Sequence, residues 1–131
     1  LFACSCLTLL RCDSSQEGGT IRRMLKARTR LRRKEFDAYF ATGRRFHSPS
    51  LMLVYTPLSE VRASAVAPKK VFKTAVLRNR FRRRVYDIVG RYMREGTLKP
   101  GVYIYIAKSG ATQLTHTLLK DELTALISKI R

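Results

Sequence analysis

The hydrophobic positions change period along the chain, and each change marks an element. From Leu31, the residues Phe36, Tyr39 and Phe40, with Arg32 and Arg33 one turn earlier, predict a short helix that Gly43 closes after Thr42. Residues Phe46 to Pro57 read as extended, because Leu51, Leu53 and Tyr55 alternate with Met52 and Val54 until Pro57 ends the run. A second extended piece runs from Val61 to about Ala67. After Lys69-Lys70 the period becomes helical: Leu77, Phe81, Val85, Ile88, Val89 and Tyr92 fall on one stripe, and the helix reaches about Glu95, where Gly96 can cap it. Pro100-Gly101 leads into a strand from Val102 to Ala107, with Val102, Ile104 and Ile106 on one face and Tyr103 and Tyr105, read as packing residues, on the other. Leu119, Leu123, Leu126, Ile127 and Ile130 predict a last helix from Thr115 onward. The order helix, strands, helix, strand, helix predicts an α+β fold, a single small domain in which helices pack on a sheet of three or four strands as an open-faced sandwich.

The first 23 residues stand apart from this pattern. Residues 1–10 (LFACSCLTLL) are apolar, but no positive charge precedes them and Arg11 follows, which is the wrong order for a secretory signal. Arg11 to Thr20 has linker composition. Met24 opens the basic, patterned part, so residues 1–23 are expected to be an unstructured tail or a mis-assigned start, and residues 24–131 the domain. The three cysteines, Cys4, Cys6 and Cys12, lack a fourth ligand at zinc-binding spacing, and the cysteine-free remainder suits a reducing cytoplasm.

Charge narrows the partner. The chain has 131 residues, is 45% apolar with six Phe and six Tyr, and carries a net charge of +18. Such a chain can build a core, yet self-repulsion of this size costs stability unless a polyanion neutralises it. A membrane surface would need bulky apolar anchors on a basic helix beyond those that fill the core, and none are spare. Residues 1–23 hold three basic and two acidic residues, so the charge belongs to the domain.

The densest charge is Arg78-Asn79-Arg80-Phe81-Arg82-Arg83-Arg84. With Phe81 inward and 100° per residue, Asn79, Arg82, Arg83 and Tyr86 fall on the far side of the helix, with Arg80 beside them. A merely solvated helix face mixes signs, whereas here the only acid before Glu95 is Asp87. Arginine also suits phosphate, through bidentate hydrogen bonds and stacking on bases. A nucleic acid is the partner these residues fit.

The run Lys69-Lys70-Val71-Phe72-Lys73-Thr74-Ala75-Val76-Leu77-Arg78-Asn79-Arg80-Phe81-Arg82-Arg83 closely resembles the signature of the bacterial ribonuclease P protein component. The Phe36, Phe40, Gly43 helix, the Tyr-containing strand and the final strand and helix also follow that family's order, and the resemblance covers Met24 to Arg131. It implies a helix, three strands, helix, strand, helix fold with a left-handed crossover. It implies a role as well, as the protein subunit of ribonuclease P, which assists endonucleolytic removal of the 5′ leader from precursor tRNA. Lys69, Lys70, Arg78, Asn79, Arg80, Arg82 and Arg83 would bind the catalytic RNA subunit. Phe36 and Phe40, with Tyr55 as a further member, would line a cleft for the single-stranded leader. No protein partner, membrane or protein-borne metal is implied, and Mg2+ would be held mainly by the RNA. Three positions depart from the family pattern, which often has Ser at Pro68, Gly at Phe72, and Arg or Lys at Tyr86.

Two rival functions use the same residues differently. A ribosomal or other structural RNA-binding protein would share the basic helix. A protein ribonuclease could use His47 and His116 as base and acid, but they lie in a loop and at a helix start with no third orienting group nearby. The scattered acids do not offer the clustered carboxylates of a two-metal nuclease. The aromatics of the first helix have two readings, as core or as an exposed stacking platform, and for Tyr39 both stay open.

Overall fold

The structure, a computed structural model, describes residues 28–130; the expectations for residues 1–23 lie outside them. Helix α1 (Arg33–Thr42) is followed by β1 (Arg44–His47), β2 (Leu51–Pro57), β3 (Val61–Val66), α2 (Ala75–Glu95), β4 (Gly101–Ala107) and α3 (His116–Ser128). The strands lie in the order β1-β2-β4-β3. Strands β1, β2 and β4 pair antiparallel, while β3 runs parallel to β4, so α2 is the crossover that joins the parallel pair. Three helices on a four-stranded sheet agree with the α+β expectation.

Local chemistry sets most boundaries. Helix α2 starts where the Thr74 side chain accepts a hydrogen bond from the Leu77 N–H, and ends at Gly96, whose φ of 70° is left-handed. Gly43 closes α1 for a different reason: its φ of −72° is ordinary, but a Cβ there would run into the Val54 side chain and lie 2.9 Å from Thr56 Oγ1. The chain can therefore turn straight from α1 into β1. The extended run predicted from Phe46 to Pro57 divides into two strands around Ser48-Pro49-Ser50, where the Ser48 N–H donates to the Leu51 carbonyl at 2.8 Å. Pro49, with no N–H to give a ladder, sits at that reversal.

The two faces of the sheet are covered unequally. On one, Phe81, Val85, Ile88 and Val89 of α2 and Leu119, Leu123 and Leu126 of α3 pack against Leu51, Leu53, Ala63, Ala65, Tyr103 and Tyr105. On the other, Val54, Val102 and Ile104 lie beneath Phe36, Tyr39 and Phe40 of α1, while Met52, Val66 and Ile106 remain half-buried. The open-faced character belongs to this second face. Tyr103 and Tyr105 are fully buried, as packing residues should be. Burial, and then the neighbouring Tyr55, pushes the Tyr103 phenol up to about 12. Leu77, expected to begin the buried stripe, is instead 42% exposed. Burial on α2 begins one turn later at Phe81, whose ring meets Phe72 from the preceding loop at 5.2 Å.

Candidate nucleic-acid interface

Strand β3 is an edge, and how that edge is covered builds the site. The Ala63 N–H donates to the Thr29 carbonyl at 2.8 Å, and the Leu31 N–H donates to the Ala63 carbonyl at 3.1 Å. The next outward amide, Ala65 N–H, donates to the Tyr86 hydroxyl at 3.2 Å. An edge strand needs such partners, since unpaired backbone groups invite foreign pairing. The Arg30 guanidinium lies over the Tyr86 ring, 5.3 Å from its centre. Tyr86 is thus half-buried against β3, a correction to its expected place on the free outer face; the helix flank that carries it meets the edge strand.

These contacts hold two basic walls apart. Arg30 and Arg33 form one and Asn79, Arg82 and Arg83 the other, around a groove of about 820 Å³ that also reaches Phe36, Ser64 and Val66. Two sites expected to be separate, the arginine helix and the α1 aromatics, meet here at Phe36. The remaining basic candidates diverge. Arg78 is half-buried and donates to the Phe72 and Lys73 carbonyls at 3.1 and 3.3 Å, so it ties the loop to the helix start. Arg80 is exposed on another flank, beside Leu77 and Arg84. Lys69 and Lys70 are exposed in a turn held by the Pro68 carbonyl, which accepts from the Val71 and Phe72 N–H groups.

Phe36 and Phe40 stack on each other, 5.8 Å apart and 10° from parallel, and both are half-buried. Each therefore contributes to the packing and keeps part of a ring accessible, and Tyr39 packs beside them against the same cluster. Tyr55 does not join them. It lies on the opposite face of the sheet, where its ring meets Tyr103 at 5.1 Å and its hydroxyl donates to the Pro100 carbonyl at 2.8 Å. Strand parity explains this: Tyr55 points the same way as Leu51 and Leu53, while Met52, Val54 and Thr56 point toward α1.

An ion pair anchors α1. Arg62 of β3 donates to Glu35 Oε2 at 2.7 Å and lies 3.6 Å from Glu60. The hydrogen bond and charge of Arg62 hold the Glu35 carboxyl below its ordinary range. The sheet separates the two histidines. His47 pairs with Met52 and so shares the α1 face, whereas His116 begins α3 on the other face, its Nε2 4.0 Å from an Asp87 carboxylate oxygen. They cannot serve one reacting phosphate as base and acid. Among the described residues, no three His, Cys, Asp or Glu side chains gather into a metal site, and no helix is long and apolar enough to cross a membrane.

The site residues that periodicity missed are Arg30, Arg33 and Arg45. Arg45 lies over the Phe40 ring at 5.0 Å. Its sequence signal is parity, since Arg45 pairs with Val54 and so shares the α1 face.

A family model described as Ribonuclease P matches residues 24–131. The ribonuclease P protein component of Nitratiruptor sp. is 33% identical over 99 residues, covering 76% of this chain and 88% of that protein. That of Synechococcus elongatus is 35% identical over 105 residues, covering 69% of this chain and 86% of that one. Among solved structures, the Staphylococcus aureus RNase P protein superposes with a TM-score of 0.70 at 17% identity, covering 79% of this chain and 95% of that one. The Thermotoga maritima RNase P protein gives 0.68 at 21%, covering 78% and 97%. At these identities the two structures speak for the fold.

Proposed function

The chain belongs to the ribonuclease P protein family, and on that premise we propose how its surfaces divide the work of precursor tRNA processing. Members of the family are RNA-binding subunits of a ribonucleoprotein endonuclease in which the RNA carries the catalysis. Residues 24–131 form the RNA-binding unit. The outer side of α2, with Asn79, Arg82 and Arg83, the flank that carries Arg80, and the neighbouring Lys69 and Lys70 bind the catalytic RNA subunit, while Arg78 holds the preceding loop against the helix start. Phe36 and Phe40 hold the single-stranded 5′ leader of precursor tRNA. The observation that carries this division is the shared groove, in which Phe36 lies opposite Asn79, Arg82 and Arg83. A strand leaving the RNA-facing wall enters directly onto the aromatic platform.

The polypeptide's contribution is then electrostatic and positional. Arg and Lys neutralise phosphates where folded RNA and substrate crowd together, which lowers the magnesium needed for assembly. Aromatic rings stack on unpaired bases whatever their sequence. The metal ions that hydrolyse the phosphodiester are Mg2+ held by the RNA partner, and the location is the cytoplasm. Reconstitution tests the reading: the protein added to its cognate catalytic RNA should restore cleavage of precursor tRNA at low magnesium, where the RNA alone is inactive. No stimulation at any magnesium concentration would leave a structural RNA-binding role. Cleavage by the protein without RNA, lost in the His47→Ala, His116→Ala double variant, would return the reaction to the polypeptide.

A further inference from the structure

The cross-strand register shows that the trough beside α1 continues past the two phenylalanines to the far edge of the sheet. On the α1 face one row runs Arg45, Val54, Ile104, Ser64, and the next runs His47, Met52, Ile106, Val66, from β1 through β2 and β4 to β3. Ser64 and Val66 already border the arginine groove at the β3 end. Three strand spacings, about 14 Å, separate that end from Arg45 and His47. Phe36 and Phe40 run alongside in the same sense, since Phe36 borders the groove and Phe40 carries Arg45 on its ring. The floor between them, Met52, Ile106 and Val66, is apolar and only half-buried.

We infer that Arg45 and His47, at the β1 end of this trough, form a second subsite for the leader, which takes nucleotides beyond those stacked on Phe36 and Phe40. Arg45 supplies the phosphate contact. Among the described residues it makes no salt bridge, and it is exposed, so its charge is free. Its guanidinium is already ordered by the Phe40 face, which reduces the entropy lost when it grips an oxyanion. His47, exposed two residues on and on the same face, offers a planar ring and a hydrogen-bonding edge to a base. The polarity follows from the proposed function, on which this inference rests. If the catalytic RNA occupies the α2 side, the nucleotides next to the cleavage point lie at the β3 end, and those farther 5′ reach β1.

Leader length separates this subsite from the platform. The holoenzyme is reconstituted with wild-type protein, Arg45→Ala, Arg45→Lys, His47→Ala or Phe36→Ala, and its affinity is measured for precursor tRNAs whose leaders are shortened one nucleotide at a time. For Arg45→Ala the loss should grow with leader length, and be about fivefold larger for the longest leaders than for the shortest. Arg45→Lys should recover part of that difference, because it keeps the charge but loses the planar stack. His47→Ala should follow the same length dependence at about twofold. A loss for Arg45→Ala that is equal at every leader length, or absent at all of them, overturns the subsite. If the Arg45→Ala loss shows no length dependence while Phe36→Ala still weakens binding, only the second subsite fails. If Phe36→Ala is without effect on any leader, the platform reading fails with it.

Discussion

The two faces of the sheet are written in the same alternation, yet they end in different states. On the α2–α3 face, Leu51, Leu53, Tyr103 and Tyr105 are sealed beneath two helices, one of them capped at both ends by Thr74 and Gly96. On the α1 face, a ten-residue helix with no fully buried residue and no side-chain cap covers Val54, Val102 and Ile104 and leaves the adjoining row half-open. The difference shows where each job resides. One face carries the stability, which frees the other to keep aromatic and apolar surface accessible for a ligand.

The sharpest way to break that division is to truncate a phenylalanine on each face. Phe81→Ala, in the sealed core, should cost about 3 to 5 kcal/mol of stability. It should be read by denaturant unfolding. Phe36→Ala should cost far less stability, because the ring is half-buried, but should weaken leader binding by about 1 to 3 kcal/mol if one base stacks there. Equal stability losses from the two variants would mean that α1 is as much a part of the core as α2.

The arginines offer a second contrast within one helix. Arg82 and Arg83 face the groove, whereas Arg78 is engaged with the loop carbonyls. Arg82→Ala and Arg83→Ala should each reduce the salt dependence of binding the catalytic RNA by up to about 0.9 in the log–log slope for a lost duplex phosphate contact. Arg78→Ala should lower stability more than it changes that slope, so thermal unfolding and salt titration together sort the three. A full slope change with unaltered stability for Arg78→Ala would place it with the RNA-binding group.

Much of this was legible along the chain, and the exceptions share a cause. The period of α2 and the Gly96 cap are local properties, as is the alternation of Tyr103 and Tyr105. What could not be read locally was which partner each face would meet. Tyr55 alternates correctly, but only the side on which α1 lands decides that it faces Tyr103 and not Phe36. Tyr86 is 140° from Phe81 on the helix, which looks outward until β3 is known to be an edge strand with an amide to satisfy. The groove itself needs that topology, because it joins residues of α1, β3 and α2.

Tyr86 gives a smaller test of how the two faces are joined. Tyr86→Phe keeps the ring beneath Arg30 and removes the acceptor for the Ala65 N–H, so it should cost about 1 kcal/mol of stability. Hydrogen exchange at the Ala65 amide should accelerate with it. Unchanged protection there would show that another group covers the edge.

The smallest effect concerns the tether of α1 to β3, and its sign is fixed by the direction of one shift. Arg62, by its hydrogen bond first and its charge after that, holds the Glu35 carboxyl below its ordinary value of 4.5. The folded state therefore favours the ionised carboxylate more than the unfolded chain does. The pair's contribution is fully present above pH 4.5 and is lost as the pH falls through the lower folded value. Both side chains are partly exposed, at 26% for Arg62 and 36% for Glu35, so solvent keeps the effect modest. Glu35→Gln should be slightly less stable than wild type at pH 7, and the gap between their unfolding midpoints should close as the solution is acidified below 4.5. Because α1 carries Phe36, the same variant should weaken leader binding near neutral pH without altering the salt slope for the catalytic RNA. A midpoint gap that stays constant down to strong acid would mean that Arg62 holds Glu35 no better than water does, and that packing alone seats α1 on its half-open face.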